Sequence, residues 1–344
     1  MNTGIWKKAF LEIPEVSPEE FSRLDLVSKW LIASRGAVAV MSLLSALIGG
    51  LFAYLTGTIN PFYVILLALA LFLAHGASDL FNDYFDYRSG LDSGNYFRTQ
   101  YGPQPVISGL MTERQLLVWA TVTTAFAGAM GVYFTILRGP AVLAFFILGL
   151  IILISYTGGP LPLKKFGIGE PAAFIVWGPL MIGGTFYCLT GTLPAWVMVD
   201  SVPYALGVMG VLFAKHTDKL KFDQERNIRT IPVRLGEKKA RSATKIIITL
   251  MYIVLAVSVV AGYMPYLTAI AFASIPSAME AYRILGKTRP ENKPDDYPSS
   301  SWPLWFVGYT FVFNRKYGSL FVVGLIAGVI LYHLAGIPPF MKII

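Results

Sequence analysis

Four carboxylates and an arginine directly follow a long apolar run. Residues 79–92 read Asp-Leu-Phe-Asn-Asp-Tyr-Phe-Asp-Tyr-Arg-Ser-Gly-Leu-Asp, and residues 62–77 before them are apolar enough to lie in a bilayer. On a helix that continues through this stretch, Asp79, Asp83 and Asp86 fall at i, i+4 and i+7 and share one face. Charged side chains at the end of a membrane span are costly to bury, so they indicate a functional site.

Three anionic oxygen donors on one helix face predict a site for a hard divalent cation. Mg²⁺ fits such a site, because it keeps several waters and commonly bridges one or two carboxylates to a phosphate. The alternative is a helix end that carries solvated charge. A single aspartate would fit that alternative, but four within residues 79–92 favour the cation site.

A second charged segment, residues 215–236, mixes acids with a dense set of cations. Asp218 and Asp223 could hold metal, while Lys219 and Arg229 could contact phosphate oxygens directly, so the mixture suits a polyanion. The alternative is a basic loop that touches anionic lipid.

A third segment, Tyr156-Thr-Gly-Gly-Pro-Leu-Pro-Leu-Lys-Lys165, is a rigid turn that presents two cations. Together the three segments predict two acidic clamps that hold metal ions on a diphosphate while its lipid tail runs between helices. An allylic diphosphate leaves readily once Mg²⁺, Lys and Arg neutralise its developing charge. The resulting cation needs a dry pocket, where an aromatic face such as that of Tyr156 could stabilise it.

The composition is that of a polytopic membrane protein. The chain has 344 residues, of which 55% are hydrophobic and 14% charged, and its mean hydropathy is +0.59. No soluble domain of this size needs so much apolar material, so we predict an all-α bundle of about nine transmembrane helices around a central cavity. The single cysteine, Cys188, excludes an internal disulfide. The candidate spans lie near 36–56, 61–82, 116–137, 140–157, 171–190, 202–217, 243–263, 265–283 and 318–336.

The distribution of basic residues predicts the orientation. With nine spans, the N-terminal leader shares one side with the loops at 83–115, 158–170, 216–242 and 284–317. Of the 28 Lys and Arg residues, only Arg138 and Lys342 fall on the other side, so the crowded side, including the N-terminus and the three segments, is predicted to be cytoplasmic. We expect membrane lipid rather than nucleic acid as the partner of this basic surface.

The domain organisation is correspondingly simple. Residues 1–35 form a cytoplasmic leader with a possible interfacial helix at about 20–33. Residues 36–344 form one transmembrane domain.

These motifs resemble those of the UbiA superfamily of intramembrane prenyltransferases. The segment Asn82-Asp83-Tyr-Phe-Asp86-Tyr-Arg88-Ser-Gly-Leu-Asp92 is similar to the first aspartate motif of that family, and 229–236 is similar to the close of the second. Arg35 matches the arginine that opens the first span in many members. The resemblance implies an all-helical, nine-span, Mg²⁺-dependent enzyme that uses a polyprenyl diphosphate and an aromatic acceptor.

Residue by residue, the resemblance and the segment chemistry imply three roles. Metal binding is expected of Asp79, Asp83, Asp86, Asp218 and Asp223. Substrate binding is expected of Arg35, Arg88, Lys164, His216, Lys219 and Arg229. A catalytic role is expected of Asn82, Asp83, Asp86, Asp223 and Tyr156.

Two further stretches, 156–170 and 177–187, resemble the menaquinone branch, which prenylates 1,4-dihydroxy-2-naphthoate. The chain departs from relatives at Lys219, where they usually carry an aspartate, and at Lys215-His216, where many have Asn-Asn. Either Lys219 contacts diphosphate directly, or Asp218 takes over as the metal ligand. Alternative functions are transfer to a glycerolipid, a sugar phosphate or another phenol, and cation-coupled transport.

Overall fold

The computed structural model describes residues 3–57, 59–338 and 340; Lys342, used above for the orientation, lies outside them. Within these ranges every regular element is helical, which confirms the predicted all-α fold. The α-helices are α1 Thr3–Leu11, α2 Pro18–Arg23, α3 Leu26–Ala33, α4 Gly36–Thr56, α5 Pro61–Arg88, α6 Glu113–Arg138, α7 Pro140–Ser155, α8 Gly169–Ile175, α9 Gly184–Thr190, α10 Ala195–Asp218, α11 Leu220–Glu225, α12 Ile231–Leu235, α13 Glu237–Val260, α14 Ile275–Leu285 and α15 Phe306–Ala335. Short 3₁₀ helices lie at Phe97–Gln100, Tyr266–Ser274 and Ser299–Ser301, and a π-helical segment, Val176–Gly183, joins α8 to α9.

Seven helices of the described chain are long and apolar enough to cross a membrane: α4, α5, α6, the continuous helix Gly169–Thr190, α10, α13 and α15. Helix α7 is apolar but has only 16 residues. The remaining predicted span, 265–283, is a 3₁₀ helix followed by the short helix α14. The predicted count of nine spans is therefore not confirmed, although all nine regions are helical.

The bundle is built around α10 and α4, which are the most buried of the seven, whereas α6 is the least buried. Helix α10 packs against α13, α15 and the π-helical segment, and α5 packs between α4 and α6. Pro179 lies inside the π-helical segment. Because proline has no N–H to donate, it favours this local departure from the α-helical hydrogen-bond pattern.

The connections at 89–112, 156–168, 219–236 and 286–305 meet at one end of the bundle, which we call the site end. Arg226 on the third connection donates to the carbonyls of Leu91 and Ser93 on the first. The N–H of Arg229 donates to the Lys165 carbonyl on the second. These contacts place the three chemistry-bearing segments at the same end, as the sequence predicted.

The leader does not contain the single helix expected at 20–33. Asp25 ends that continuity, because its carboxylate accepts from the N–H of Ser28 and caps α3, while α2 ends at Arg23. On α3 itself, Val27 is 45% exposed, whereas Leu31 is 2% exposed.

The leader packs onto the bundle through two close approaches. A side chain at Gly36 would lie 2.9 Å from Leu31 Cδ2 and 3.4 Å from the Ala9 carbonyl oxygen, so glycine lets α1 and α3 reach the start of α4. A side chain at Gly76 would overlap the Trp30 ring, whose Nε1 donates to Thr123 Oγ1 at 3.0 Å. Residues 3–33 are thereby tied to α4, α5 and α6.

Candidate active site

Helix α5 presents the first acidic motif. It continues without a break to Arg88, and Asp79, Asp83 and Asp86 are all buried on it, which confirms that they share one face. The helix carries these carboxylates below the surface of the site end. Each of them contacts a cation of the protein.

Arg35 contacts the first two carboxylates, those of Asp79 and Asp83. Its backbone is left-handed, with φ 55° and ψ 53°, a conformation that costs energy in a residue with a Cβ and persists only where the surroundings fix it. Its buried guanidinium places Nη2 2.9 Å from Asp79 Oδ1 and 3.5 Å from Asp83 Oδ1. The same nitrogen donates to the Asp79 carbonyl at 3.1 Å.

Asp83 is held by a second arginine, Arg98, from the connection after α5. Arg98 donates to both carboxylate oxygens, with Nε 3.0 Å from Oδ1 and Nη2 2.6 Å from Oδ2. Asp83 is 1% exposed and Arg98 is 5% exposed. Such a two-pronged pair is strong, and removing one partner would leave a buried charge without compensation.

Asp86 pairs with Lys164, whose Nζ lies 2.7 Å from Oδ2. Asp92, the last acid of the motif, accepts from Gln104 at 3.1 Å through Oδ2, while its Oδ1 is buried without a described hydrogen-bond partner. Burial, together with the negative charges of Asp86 and Asp83, raises the pKa of Asp92 to about 7. Within the described part of the chain, Asp92 thus lacks the cationic partner that Asp83 and Asp86 have.

The second acidic segment contributes Asp223 and Lys219. Asp223 is fully buried, and its Oδ1 accepts from the Tyr96 hydroxyl at 2.5 Å. Lys219 Nζ lies 3.1 Å from Asp223 Oδ2 and 3.3 Å from the Tyr96 oxygen. Burial lowers the pKa of Lys219. The nearby positive charges of Lys164 and Lys215 lower this pKa further, whereas the negative charge of Asp223 raises it.

His216 pairs with Glu170, and its Nδ1 lies 2.6 Å from Glu170 Oε1. The imidazole is 1% exposed and the carboxylate is fully buried. The pair joins α10 to α8, and the second ring nitrogen of His216 has no hydrogen-bond partner among the described residues. His216 lines the small pocket at the centre of the site.

This small pocket, which we call the polar pocket, has a volume of about 40 Å³. It is lined by several of the charged residues above and by four aromatic residues, Tyr96, Phe97, Tyr101 and Tyr156. The lining comprises Arg35, Asn82, Asp83, Asp86, Tyr96, Phe97, Arg98, Tyr101, Tyr156, Lys164, Lys215, His216 and Lys219. Asn82 is held by Thr157, whose hydroxyl donates to the amide oxygen.

A much larger space, the apolar cavity, adjoins the polar pocket and has a volume of about 480 Å³. The two spaces share five lining residues, Arg35, Asn82, Tyr101, Tyr156 and Lys215. The rest of the cavity is mostly aliphatic and aromatic, and includes Phe134, Phe145, Trp177 and Met181. The arrangement joins a small charged site to a large, mostly apolar cavity.

Three expected site residues lie outside this group. Asp218 points to the start of α15, where its two oxygens accept from the backbone N–H groups of Phe306 and Val307 at 2.9 Å each. The Arg88 side chain is 62% exposed and pairs with Glu113. Arg229 is exposed, and its described hydrogen bonds are backbone ones.

Asp218 is separated from the site by a break in the helix. Helix α10 ends at Asp218, and Lys219 has φ −99° and ψ 11° before α11 begins. The break turns Lys219 towards Asp223 and leaves Asp218 to satisfy the free N–H groups of α15. The structure therefore does not bring Asp218 together with the other carboxylates.

The carboxylates of the site are candidate ligands for a divalent cation. Within the described ranges no three His, Cys, Asp or Glu side chains form a ready metal site. Asp79 and Asp83 instead pair with Arg35, and Asp86 pairs with Lys164. The oxygens are nevertheless the hard ligands that Mg²⁺ prefers, and Asp92 Oδ1 is buried without a described hydrogen-bond partner. The carboxylates would fit such an ion if their lysine and arginine partners paired with another anion instead.

Sequence reasoning assigned no role to Arg98, Tyr96, Glu170 or Lys215. Arg98 and Tyr96 follow Asp92, the last acid of the first motif, and belong to no motif themselves, so nothing in the sequence marked them. Glu170 and Lys215 stood inside segments that the sequence did single out, beside residues that received a role. Only their contacts across the bundle identify them as part of the site.

Comparison with known proteins gives a consistent family. The model of the UbiA prenyltransferase family matches residues 42–295. The chain is 25% identical over 263 residues to 2-carboxy-1,4-naphthoquinone phytyltransferase of Synechocystis sp., covering 75% of this chain and 82% of the relative. It is 25% identical over 237 residues to 1,4-dihydroxy-2-naphthoate octaprenyltransferase of Bacillus subtilis, covering 67% of this chain and 75% of the relative.

The fold also matches solved structures. A UbiA homolog from Archaeoglobus fulgidus bound to GPP and Mg²⁺ superposes with a TM-score of 0.57 at 13% identity. The match covers 86% of this chain and 99% of that one.

Proposed function

Because the chain belongs to the UbiA prenyltransferase family, we propose that it transfers a polyprenyl group from a polyprenyl diphosphate to an aromatic quinone precursor. A carboxylated naphthalene diol such as 1,4-dihydroxy-2-naphthoate is the leading acceptor. The chain is a helical membrane prenyltransferase; the acceptor, the metal and the orientation are the proposed parts.

The observation that carries this proposal is the junction of the polar pocket with the apolar cavity. A prenyl diphosphate has the same two parts, a compact dianionic or trianionic head and a long hydrocarbon tail. At the junction, Asn82 and Tyr156 line both spaces, so the bond between head and tail would lie beside them. The Tyr156 ring supports an allylic cation there through its face.

The cations of the site support binding of the head. Arg98, Lys164 and Lys219 now neutralise Asp83, Asp86 and Asp223. These three cations reach the polar pocket from three different connections, so they can contact a diphosphate from several directions. The proposed exchange pairs each cation with a diphosphate oxygen and releases the carboxylates.

The released carboxylates of Asp83, Asp86 and Asp223 would hold Mg²⁺. When bound, Mg²⁺ supplies charge neutralisation to the leaving diphosphate. The similar structure from Archaeoglobus fulgidus contains Mg²⁺, which supports this assignment. Asp79 stays with Arg35 and orients it, and Asp218 stays with α15.

Lys215 supports an anionic acceptor. It lines both spaces, and its ammonium has no hydrogen bond or ion pair within the described residues. An acceptor carboxylate in the apolar cavity would need such a cation, because an unpaired charge is costly to bury. The two naphthalene-derived acceptors named in the relatives support the same acceptor class.

Product identification tests the proposal directly. We expect purified protein in lipid nanodiscs, supplied with Mg²⁺ and ¹⁴C-labelled geranylgeranyl diphosphate, to label 1,4-dihydroxy-2-naphthoate more rapidly than 4-hydroxybenzoate or glycerol phosphate. Mass spectrometry of the product identifies the new carbon–carbon bond and any loss of the carboxylate. Labelling of glycerol phosphate alone would instead support the glycerolipid alternative.

The site end is proposed to face the cytoplasm, because it carries most of the basic residues. We expect reporter fusions after Gly236 to be cytoplasmic and fusions after Arg138 to lie on the opposite side. Green fluorescent protein and alkaline phosphatase at each position give complementary signals. Identical locations for both fusions would contradict this orientation.

A further inference from the structure

We propose that the apolar cavity selects the length of the donor chain. It accepts four isoprene units, a C20 tail, with Phe134 and Val142 at its far end. This inference rests on the proposed function, since it assumes that the diphosphate occupies the polar pocket. The established family relation does not fix the length, because the two similar enzymes are named for phytyl and octaprenyl transfer.

Helix α5 gives the depth of the cavity. One face of α5 lines it continuously from Asn82, at the polar pocket, to Leu67. At 1.5 Å per residue, these fifteen steps correspond to about 22 Å. The lining residues between them recur at helical spacing, as expected for one unbroken wall.

Helix α7 gives an independent measure on a neighbouring wall. Its lining runs from Tyr156, again at the polar pocket, to Val142. These fourteen steps correspond to about 21 Å along the helix. Two helices that run towards the site end therefore indicate the same depth from the same starting point.

Tightly packed side chains line the far end of the cavity. Phe134, Val142 and Cys188 line it and are 1%, 4% and 5% exposed. The Phe134 ring packs edge-on against Tyr63, with centroids 5.7 Å apart. Just beyond, Arg138 donates to the Cys188 carbonyl at 2.9 Å and ties the end of α6 to the end of α9.

The depth matches a defined number of isoprene units. Each unit contributes four backbone carbon–carbon bonds of about 1.5 Å, which amounts to roughly 5 Å along a zigzag chain. Four units therefore fill the cavity from Asn82 to the far end. A C10 tail leaves about half of the apolar cavity without contacts. A C40 tail would have to displace the side chains at the far end or pass out of the protein between two helices.

Two small residues on the lining face of α5 are positions where a larger side chain would shorten the cavity. Ala74 lies eight residues, or about 12 Å, from Asn82, and Ala70 lies twelve residues, or about 18 Å, from it. Phenylalanine at either position would obstruct the channel at that depth. Leu69 is 44% exposed on the outer side of the helix, so Leu69→Phe is the matched control.

The experiment measures binding of unreactive prenyl thiolodiphosphates with C10, C15, C20 and C40 tails, by calorimetry on the protein in nanodiscs with Mg²⁺. We expect affinity to rise at least tenfold from C10 to C20, as the longer tail fills the apolar cavity, and to fall again for C40. Ala74→Phe should move the optimum to C10 and Ala70→Phe to C15. Leu69→Phe should keep it at C20.

The outcomes separate this inference from the proposed function. Tight binding at all tail lengths, or an optimum at C40, would overturn the inference that the cavity selects a C20 tail, and would leave the prenyltransferase proposal standing. Absence of Mg²⁺-dependent binding at every length would overturn both. Because the wild-type series alone decides the optimum, a variant that fails to fold does not remove the test.

Discussion

Asp83→Asn should lower the rate of prenyl transfer by about a thousandfold, which corresponds to about 4 kcal/mol of barrier. The change keeps the size of the side chain but removes the charge proposed to hold Mg²⁺ against the leaving diphosphate, and such stabilisation is worth several kcal/mol. Single-turnover rates with saturating donor and acceptor measure the loss. A variant that keeps near-normal Mg²⁺-dependent turnover would show that Asp83 is not a ligand.

The buried pair with Arg98 makes a stability control necessary. Asp83→Asn leaves the guanidiniums of Arg98 and Arg35 without a full partner, and breaking a buried pair in this way typically costs about 3–5 kcal/mol. We therefore expect Asp83→Asn to unfold at a lower temperature than the wild type. Adding Arg98→Gln should recover part of the stability and none of the activity, which separates folding from catalysis.

Lys219→Met should raise the KM for the prenyl diphosphate and lower kcat, each by about tenfold, if one charge-assisted contact to the leaving group is lost. Its ammonium already lies in the polar pocket, 3.1 Å from Asp223. Methionine keeps most of the length of the side chain and removes the ammonium group. Steady-state kinetics at varied donor concentration measure both constants.

Asp218→Asn is the matched comparison, one residue away on the other side of the helix break. We expect a lower unfolding temperature, because a charged acceptor for two backbone N–H groups of α15 is worth about 2 kcal/mol. The KM of the folded fraction should stay near that of the wild type. If Lys219→Met is silent and Asp218→Asn abolishes metal-dependent turnover, the metal site instead uses Asp218.

Hydrophobicity and periodicity predicted the helices well, because a bilayer span needs a long apolar run and little else. They could not give the number of spans. The run at 265–283 is apolar enough to be selected, yet it folds as a 3₁₀ helix and α14. The leader shows the same limit, since Asp25 ends a helix that the apolar pattern alone would continue.

The positions of site residues were predictable where a motif lies on one continuous helix. They were less predictable where a side chain pairs with a residue that is distant in the sequence. Asp79, Asp83 and Asp86 follow from α5 alone. The pairing of Asp83 with Arg98 depends on how the connection folds back, and without it Asp83 would seem removable at little cost to stability. Asp218 lies outside the site while Lys219 lies in it, because the helix breaks between them, and their spacing in the sequence does not reveal that break.

The central claim is that a diphosphate takes the cations of the protein while Mg²⁺ takes the carboxylates, so each ligand should need the other. The direct measurement is the affinity of the protein in nanodiscs for Mg²⁺, by calorimetry, with and without geranylgeranyl thiolodiphosphate. We expect the donor analogue to tighten Mg²⁺ binding at least tenfold, with the reciprocal effect on the analogue. Equal Mg²⁺ affinity with and without the analogue would contradict the exchange.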